Sequence, residues 1–320
     1  MVRYVLALDG GGVKGVIVLR FLQKLEEERG IKVSDFFDMF VGTSTGALIC
    51  SLFAHKSISA KEILDNMYTQ TNLATIMYQS YYNSIMNVFY TRAKYCNKNK
   101  MDVVSRYLCD KDTRMCDVPK PILITAYNPE KKEPIFFSNF LDRNSQYKLL
   151  DACNASTAAP VYFPAAVVEC PEGGEDKILI DGGIFSNNPA CFAYLNAKKM
   201  YPDEEVRVLS IGTGIKKSTF SPKYKNGGGY EWVIDAGVID MMFDGNQLSA
   251  HLEMKRMTDL NRDTYLRVNE YLQYASYEMD DTSKNNYDLL LKEGDEWWKI
   301  HKNDPFVKLI GCTPKKLKID

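Results

Sequence analysis

Three groups of residues in the 320-residue chain have the types and spacing to do chemistry. The first is Gly42-Thr43-Ser44-Thr45-Gly46, set between the apolar runs Phe37 to Val41 and Ala47 to Phe53. This is G-x-S-x-G in a strand–turn–helix setting, where small flanking residues relieve crowding around a strained turn that exposes a serine hydroxyl. Ser44 is therefore a candidate nucleophile; the plainer alternative is a Gly/Thr turn with Ser44 as a helix N-cap. The second group is Asp9-Gly10-Gly11-Gly12-Val13-Lys14-Gly15, directly after the apolar segment Tyr4 to Leu8. Consecutive glycines let backbone N–H groups turn outward at the positive end of a helix dipole, which makes a site for a phosphate or a developing oxyanion. A tight strand-to-helix turn with no ligand would use the same residues. The third is Asp181-Gly182-Gly183, ending the apolar run Ile178 to Ile180 and followed by Ile184-Phe185-Ser186-Asn187-Asn188-Pro189. An aspartate at the carboxyl end of a buried strand stands where ligands and catalytic groups sit in open α/β sheets. A simple Asp-Gly turn is its alternative.

Gly10, Gly12 and Gly15 also match G-x-G-x-x-G, so dinucleotide binding has to be weighed. That fingerprint needs an acidic residue ending a second strand some 20 residues later, and Ile31 to Asp35 is too brief for one. No G-x-x-x-x-G-K-[ST] occurs, which excludes the nucleoside triphosphate loop.

A serine nucleophile usually takes histidine as its base. The chain has three, His55, His251 and His301. His55 falls about three turns, at ~5.4 Å each, along the helix that Ser44 begins, which is out of reach. His251 and His301 lack surroundings that would orient a base. Asp181 is the better candidate.

These groups need elements to hold them. Tyr4 to Leu8, Pro121 to Ala126, Lys177 to Ile180 and Arg207 to Ile211 read as short buried strands. Val16, Leu19, Leu22 and Leu25 have helical spacing, with Gly30 suited to the position just past the helix end. Strands alternating with helices predict an α/β fold with a mainly parallel central sheet flanked by helices. After the Gly-rich break at Asn226 to Gly229, the stretch from Glu231 to Arg262 has a long helical pattern without proline. The expectation is one domain spanning 1–320, with a motif-bearing core over 4–214 and a helical C-terminal portion over 230–320.

Forty Lys and Arg against 41 Asp and Glu give a net charge of −1, which removes the bulk-electrostatic case for nucleic acid. No uncharged apolar stretch approaches the ~20 residues of a spanning helix, and Met1-Val2-Arg3 leaves no room for a signal peptide. Eight cysteines without a C-x-x-C pair argue against zinc and fit reduced thiols in the cytoplasm. No cofactor or metal is expected. Any membrane contact is expected to be peripheral. Tyr78, Tyr81, Tyr82, Phe89, Tyr90 and Tyr95, interleaved with Arg92, Lys94, Lys98 and Lys100, could form an aromatic and basic patch for anionic lipid. A packed helical region with a basic turn is the alternative. Met241, Met242, Met254 and Met257 could line an acyl channel, although methionine at helical spacing is more often core.

The order of the three groups resembles the patatin-like phospholipases, lipid acyl hydrolases with a Ser-Asp dyad and a glycine-rich oxyanion loop. The likeness runs from Tyr4 to Gly214 and includes Ser156-Thr157-Ala158-Ala159-Pro160 and Leu209-Ser210-Ile211-Gly212-Thr213-Gly214. It implies a patatin-like fold, Ser44 as nucleophile, Asp181 as proton acceptor, and the N–H groups of Gly10, Gly11 and Gly12 as the oxyanion site. Lys14 stands where many members carry arginine; it would orient the glycine loop or sense a substrate phosphate. The implied reaction is cleavage of fatty acyl esters of glycerophospholipids. Acyl transfer through the same dyad and a non-catalytic nucleotide- or anion-binding module are the alternatives. A free aspartate, with a pKa near ~3.9, is a poor base for a hydroxyl, so the chemistry has to lean on desolvation and oxyanion stabilisation.

Overall fold

The computed structural model describes residues 1–79, 92–141, 144–171, 173–217, 225, 228 and 238–312, except for the side chains of 238–240. The sites lie on an eight-stranded sheet that joins both ends of the chain. In chain order, β1 (Val2–Leu8) leads through the glycine loop into α1 (Gly15–Arg29), and β2 (Met39–Gly42) leads through Ser44 into α2 (Thr45–Ser51). Then come α3 (Asn97–Tyr107), the hairpin β3 (Ile122–Asn128) and β4 (Glu133–Ser138), and α4 (Leu149–Ser156). The pair β5 (Ala166–Val168) and β6 (Lys177–Asp181) precedes α5 (Ala190–Met200) and β7 (Glu205–Ile211). Last are α6 (Val238–Asn261), β8 (Thr264–Val268) and α7 (Lys284–His301).

The strand order is β5-β6-β3-β2-β1-β7-β8, with β4 also on β3. The centre, β3-β2-β1-β7-β8, is parallel as expected. Antiparallel pairs join β4 and β6 to β3, and β5 to β6. The C-terminal portion is not wholly helical: β8 pairs in parallel with β7 and extends the sheet.

Alternation along the central strands divides the core into two layers, as a sheet covered on both faces requires. Tyr4, Leu6 and Leu8 of β1 and Phe40 of β2 face the layer that includes Phe21, Leu22, Phe53 and Trp297. Val5, Ala7, Met39 and Val41 face the other, with Ala193, Tyr194 and Met254 from α5 and α6. Gly30 ends α1 in the left-handed conformation (φ 61°), its N–H bonded to the Glu26 carbonyl at 3.0 Å. α7 packs along α1, and a Cβ at Gly294 would run into Arg20 and the Ile17 carbonyl, so that close approach needs glycine.

The register on β3 positions the candidate site. Gly42, at the end of β2, lies opposite Ile124, and Asp181, at the end of the oppositely running β6, lies opposite Ala126. β4 occupies the far edge of β3. Two strands therefore meet end to end along one edge of a third.

Candidate active site

Ser44 follows β2 at φ 55° and ψ −122°, a conformation that a side chain with a Cβ rarely adopts. The turn is tight because a Cβ at Gly42 would collide with the backbone of Gly46 and Ala47, and one at Gly46 with the carbonyls of Leu8 and Asp9. Such strain persists only where neighbours over-determine it. Here the Ser44 N–H donates to Ser156 Oγ at 2.9 Å, while Thr43 Oγ1 donates to the Ser186 carbonyl at 2.7 Å and lies 2.8 Å from Thr125 Oγ1. Ser44 occupies the N-cap position of α2, but its hydroxyl makes no capping bond. The Ser44 side chain instead hydrogen-bonds the Asp181 carboxylate.

Asp181 is 6% exposed. Its Oδ1 also accepts the Gly183 N–H at 2.7 Å, and its own N–H donates to the Ala158 carbonyl at 3.1 Å. Burial pushes the carboxyl up to about 6, with Ser44, the Gly183 N–H and the Lys100 charge holding it from going higher. A carboxylate so tuned is a stronger base than one in water.

The glycine loop packs against both of these segments. Thr213 Oγ1 donates to the Gly10 carbonyl at 2.8 Å, and the Gly10 N–H donates to the Asn187 carbonyl at 3.3 Å. Of the three N–H groups expected to hold an oxyanion, that of Gly10 is thus already engaged. Those of Gly11 and Gly12 have no partner among the described residues. Gly12 has φ 60°, and a Cβ there would strike the Met279 carbonyl, which accepts the Val13 N–H at 2.9 Å. The segment after β8 therefore covers the loop. Lys14 is 3% exposed, its Nζ 4.0 Å from the centre of the Tyr277 ring. It is a packed residue beneath that segment.

Several contributors escaped the sequence reading. Arg267 of β8 makes a bidentate ion pair with the buried Asp9 just before the glycines, and its Nη1 also reaches Ser210 Oγ at 2.8 Å. Burial alone would lower the guanidinium, yet Asp9 beside it raises it above its usual value. Lys100 was expected in a surface patch and is buried near Asp181. Its spacing with Val103 and Val104 on the inner face of α3 was the available signal. Tyr95 is buried as well, its hydroxyl bonded to Asp280. Tyr78 is 60% exposed, Arg92 and Lys98 are exposed, and Tyr81, Tyr82, Phe89 and Tyr90 lie outside the described residues. The four methionines do not line one channel: Met241 and Met242 are exposed, while Met254 and Met257 belong to the core layer under α6. None of the three histidines joins the site. His251 bonds the Tyr265 hydroxyl at 3.1 Å, His301 bonds Glu270 at 2.9 Å, and His55 lies beyond the end of α2.

A strained serine bonded to a buried carboxylate, with free N–H groups on an adjacent glycine loop, defines the serine acyl hydrolase class of site. The patatin-like phospholipase family model matches residues 6–194, and the chain belongs to that family. Patatin group J-1 of Solanum tuberosum is 27% identical over 98% of this chain and 91% of its own length. Patatin-like protein 1 of Arabidopsis thaliana is 26% identical over 91% and 80%. "Probable inactive patatin-like protein 9" of the same plant is 25% identical over 82% and 74%. Among solved structures, VipD from Legionella pneumophila covers 92% of this chain and 67% of its own at 14% identity and a TM-score of 0.45.

Proposed function

We propose that the protein is a phospholipase A-type lipid acyl hydrolase acting through Ser44 and Asp181. The observation that carries this reading is the bond from the Ser44 hydroxyl to a carboxylate tuned towards neutrality at a strained turn. Ser44 Oγ attacks the ester carbonyl as its proton passes to Asp181. The carbonyl oxygen takes the negative charge, and the N–H groups of Gly11 and Gly12 receive it. Collapse of this intermediate returns the proton to the departing alcohol and leaves an acyl group on Ser44. Asp181 then takes a proton from water, which attacks the acyl group and frees the fatty acid. Removing one oxyanion donor typically slows such a reaction by ~10²–10³-fold, so the loop weighs nearly as much as the dyad.

The substrate in this reading is a glycerophospholipid met by peripheral contact, since no described helix is long and apolar enough to cross a membrane. The eight free cysteines support a cytoplasmic setting, and the sheet that runs from Val2 to Val268 supports a single domain. A relative whose name marks it as inactive means that family membership alone does not decide activity. A serine-directed fluorophosphonate decides it. Labelling of the native chain but not of Ser44→Ala, together with loss of ester hydrolysis in Ser44→Ala and Asp181→Asn, is expected. Failure of the native protein to label would favour an anion-binding module, and acyl products on alcohols other than water would favour a transferase.

A further inference from the structure

α3 turns Lys100, Val103 and Val104 into the protein. Lys100 is 2% exposed, and a lysine is almost never buried so deeply without a partner for its charge. Its Nζ donates to the Thr157 carbonyl at 3.2 Å and the Asn154 carbonyl at 3.5 Å, and lies 4.5 Å from the centre of the Phe163 ring. The two carbonyls belong to the last turn of α4 and its cap, the negative end of a helix. The carboxylate that acts on Lys100 through space is that of Asp181.

The stretch that Lys100 grips is the one that holds the dyad. Ser156 Oγ accepts the Ser44 N–H, the Ala158 carbonyl accepts the Asp181 N–H, and the Thr157 carbonyl between them takes the Lys100 ammonium. Resting on the assignment of Ser44 and Asp181 as the dyad, we infer that Lys100 is its positioning residue. Its buried ammonium ion pins Ser156 to Ala158 beneath both backbones and supplies the positive charge that keeps Asp181 an anion beside Ser44.

Only the anion can take the Ser44 proton. Burial drives Asp181 towards the neutral acid, and Lys100 is the cation that opposes it. Burial likewise pushes Lys100 down to about 7, and Asp181 is the group that chiefly opposes that. Among the described residues, the titratable groups that face Lys100 are Asp181 at the end of β6 and the Cys153 thiol of α4. Those that face Asp181 are Lys100 and the Ser44 hydroxyl. Lys100 reaches the reaction only through Asp181 and the Ser156 to Ala158 stretch.

The test reads the two titrations directly, by carbon-13 NMR of the Asp181 carboxyl and the Lys100 Cε, beside hydrolysis of a soluble p-nitrophenyl ester. In Lys100→Met the Asp181 midpoint should rise by roughly one unit or more, the size expected when an opposite charge is removed. The acid limb of kcat should move with it, kcat at pH 6 should fall about tenfold or more, and KM should hold. Lys100→Arg should restore the midpoint. In Asp181→Asn the Lys100 midpoint should fall by a comparable amount, because coupling between two sites is reciprocal. That last measurement uses the native lysine and does not depend on a Lys100 variant folding. An unmoved Asp181 midpoint in folded Lys100→Met, or an unmoved Lys100 midpoint in Asp181→Asn, overturns the inference. Midpoints that move in a native protein without esterase activity would leave the Lys100 coupling standing and remove the hydrolase reading.

Discussion

Ionisation of Asp181 sets the acid side of hydrolysis through the Ser44 dyad. With its carboxyl raised to about 6 by burial, kcat/KM for a neutral ester should climb as pH rises through about 6 and flatten above it. A limb near pH 4 would mean that the working carboxylate is solvated. The same shift bears on stability. A carboxyl whose folded value exceeds its unfolded ~3.9 favours folding fully below ~3.9, and that contribution is lost as pH rises through about 6. At pH 7 the buried anion is therefore held at a cost. Asp181→Asn should raise the unfolding free energy at pH 7 by roughly 1 to 3 kcal/mol, with a smaller gain at pH 4. Urea titrations at the two pH values measure this, and a loss of stability at pH 7 would contradict it.

At the scale of elements, the glycine loop is braced from outside rather than by itself. A Cβ at Gly11 would run into the Thr213 side chain, which is held in turn by the Gly10 carbonyl. Gly11→Ala should displace the loop and lower kcat about a hundredfold, with far-UV circular dichroism unchanged. An alanine variant of native activity would place the oxyanion elsewhere. These braces also explain how much the sequence could tell. Ser44, the three glycines and Asp181 were legible because each sits in a local pattern that encodes its own turn. Ser156 and Thr213 stood in recognisable motifs, but the contacts they make depend on which strands become neighbours. β8 was missed because Arg267 interrupts Thr264 to Val268 with a charge that reads as solvent-facing. Only its ion pair with Asp9, made across the sheet, shows why a charge belongs there. Lys100 misled for a related reason: among Tyr95, Lys94 and Lys98 it resembled a surface cation, while its helical spacing placed it inside.

For the molecule as a whole, the C-terminal portion is part of the working unit. β8 completes the sheet, Trp297 and Trp298 are buried against α1, and the Met279 carbonyl and Tyr277 lie over the glycine loop and Lys14. The net charge of −1 gives no general attraction to an anionic surface, so vesicle binding has to come from a local patch around Tyr78, Arg92 and Lys98. Sedimentation with phosphatidylserine vesicles should show binding at low salt that is largely lost near ~0.5 M salt, where the screening length falls to a few ångströms. Binding that ignores salt would point instead to apolar insertion, for which Met242, at 69% exposed on α6, is the first residue to replace.

The end-to-end meeting of β2 and β6 along β3 makes the sheet a ruler. Ser44 and Asp181 are spaced by hydrogen-bonded strands about 4.8 Å apart, not by the loops around them. Segments such as the one over the glycine loop can therefore be exchanged or redesigned to accept different lipids while the distance between nucleophile and base stays as it is. The chemistry and the choice of substrate are separate modules, and an engineer could alter one without resetting the other.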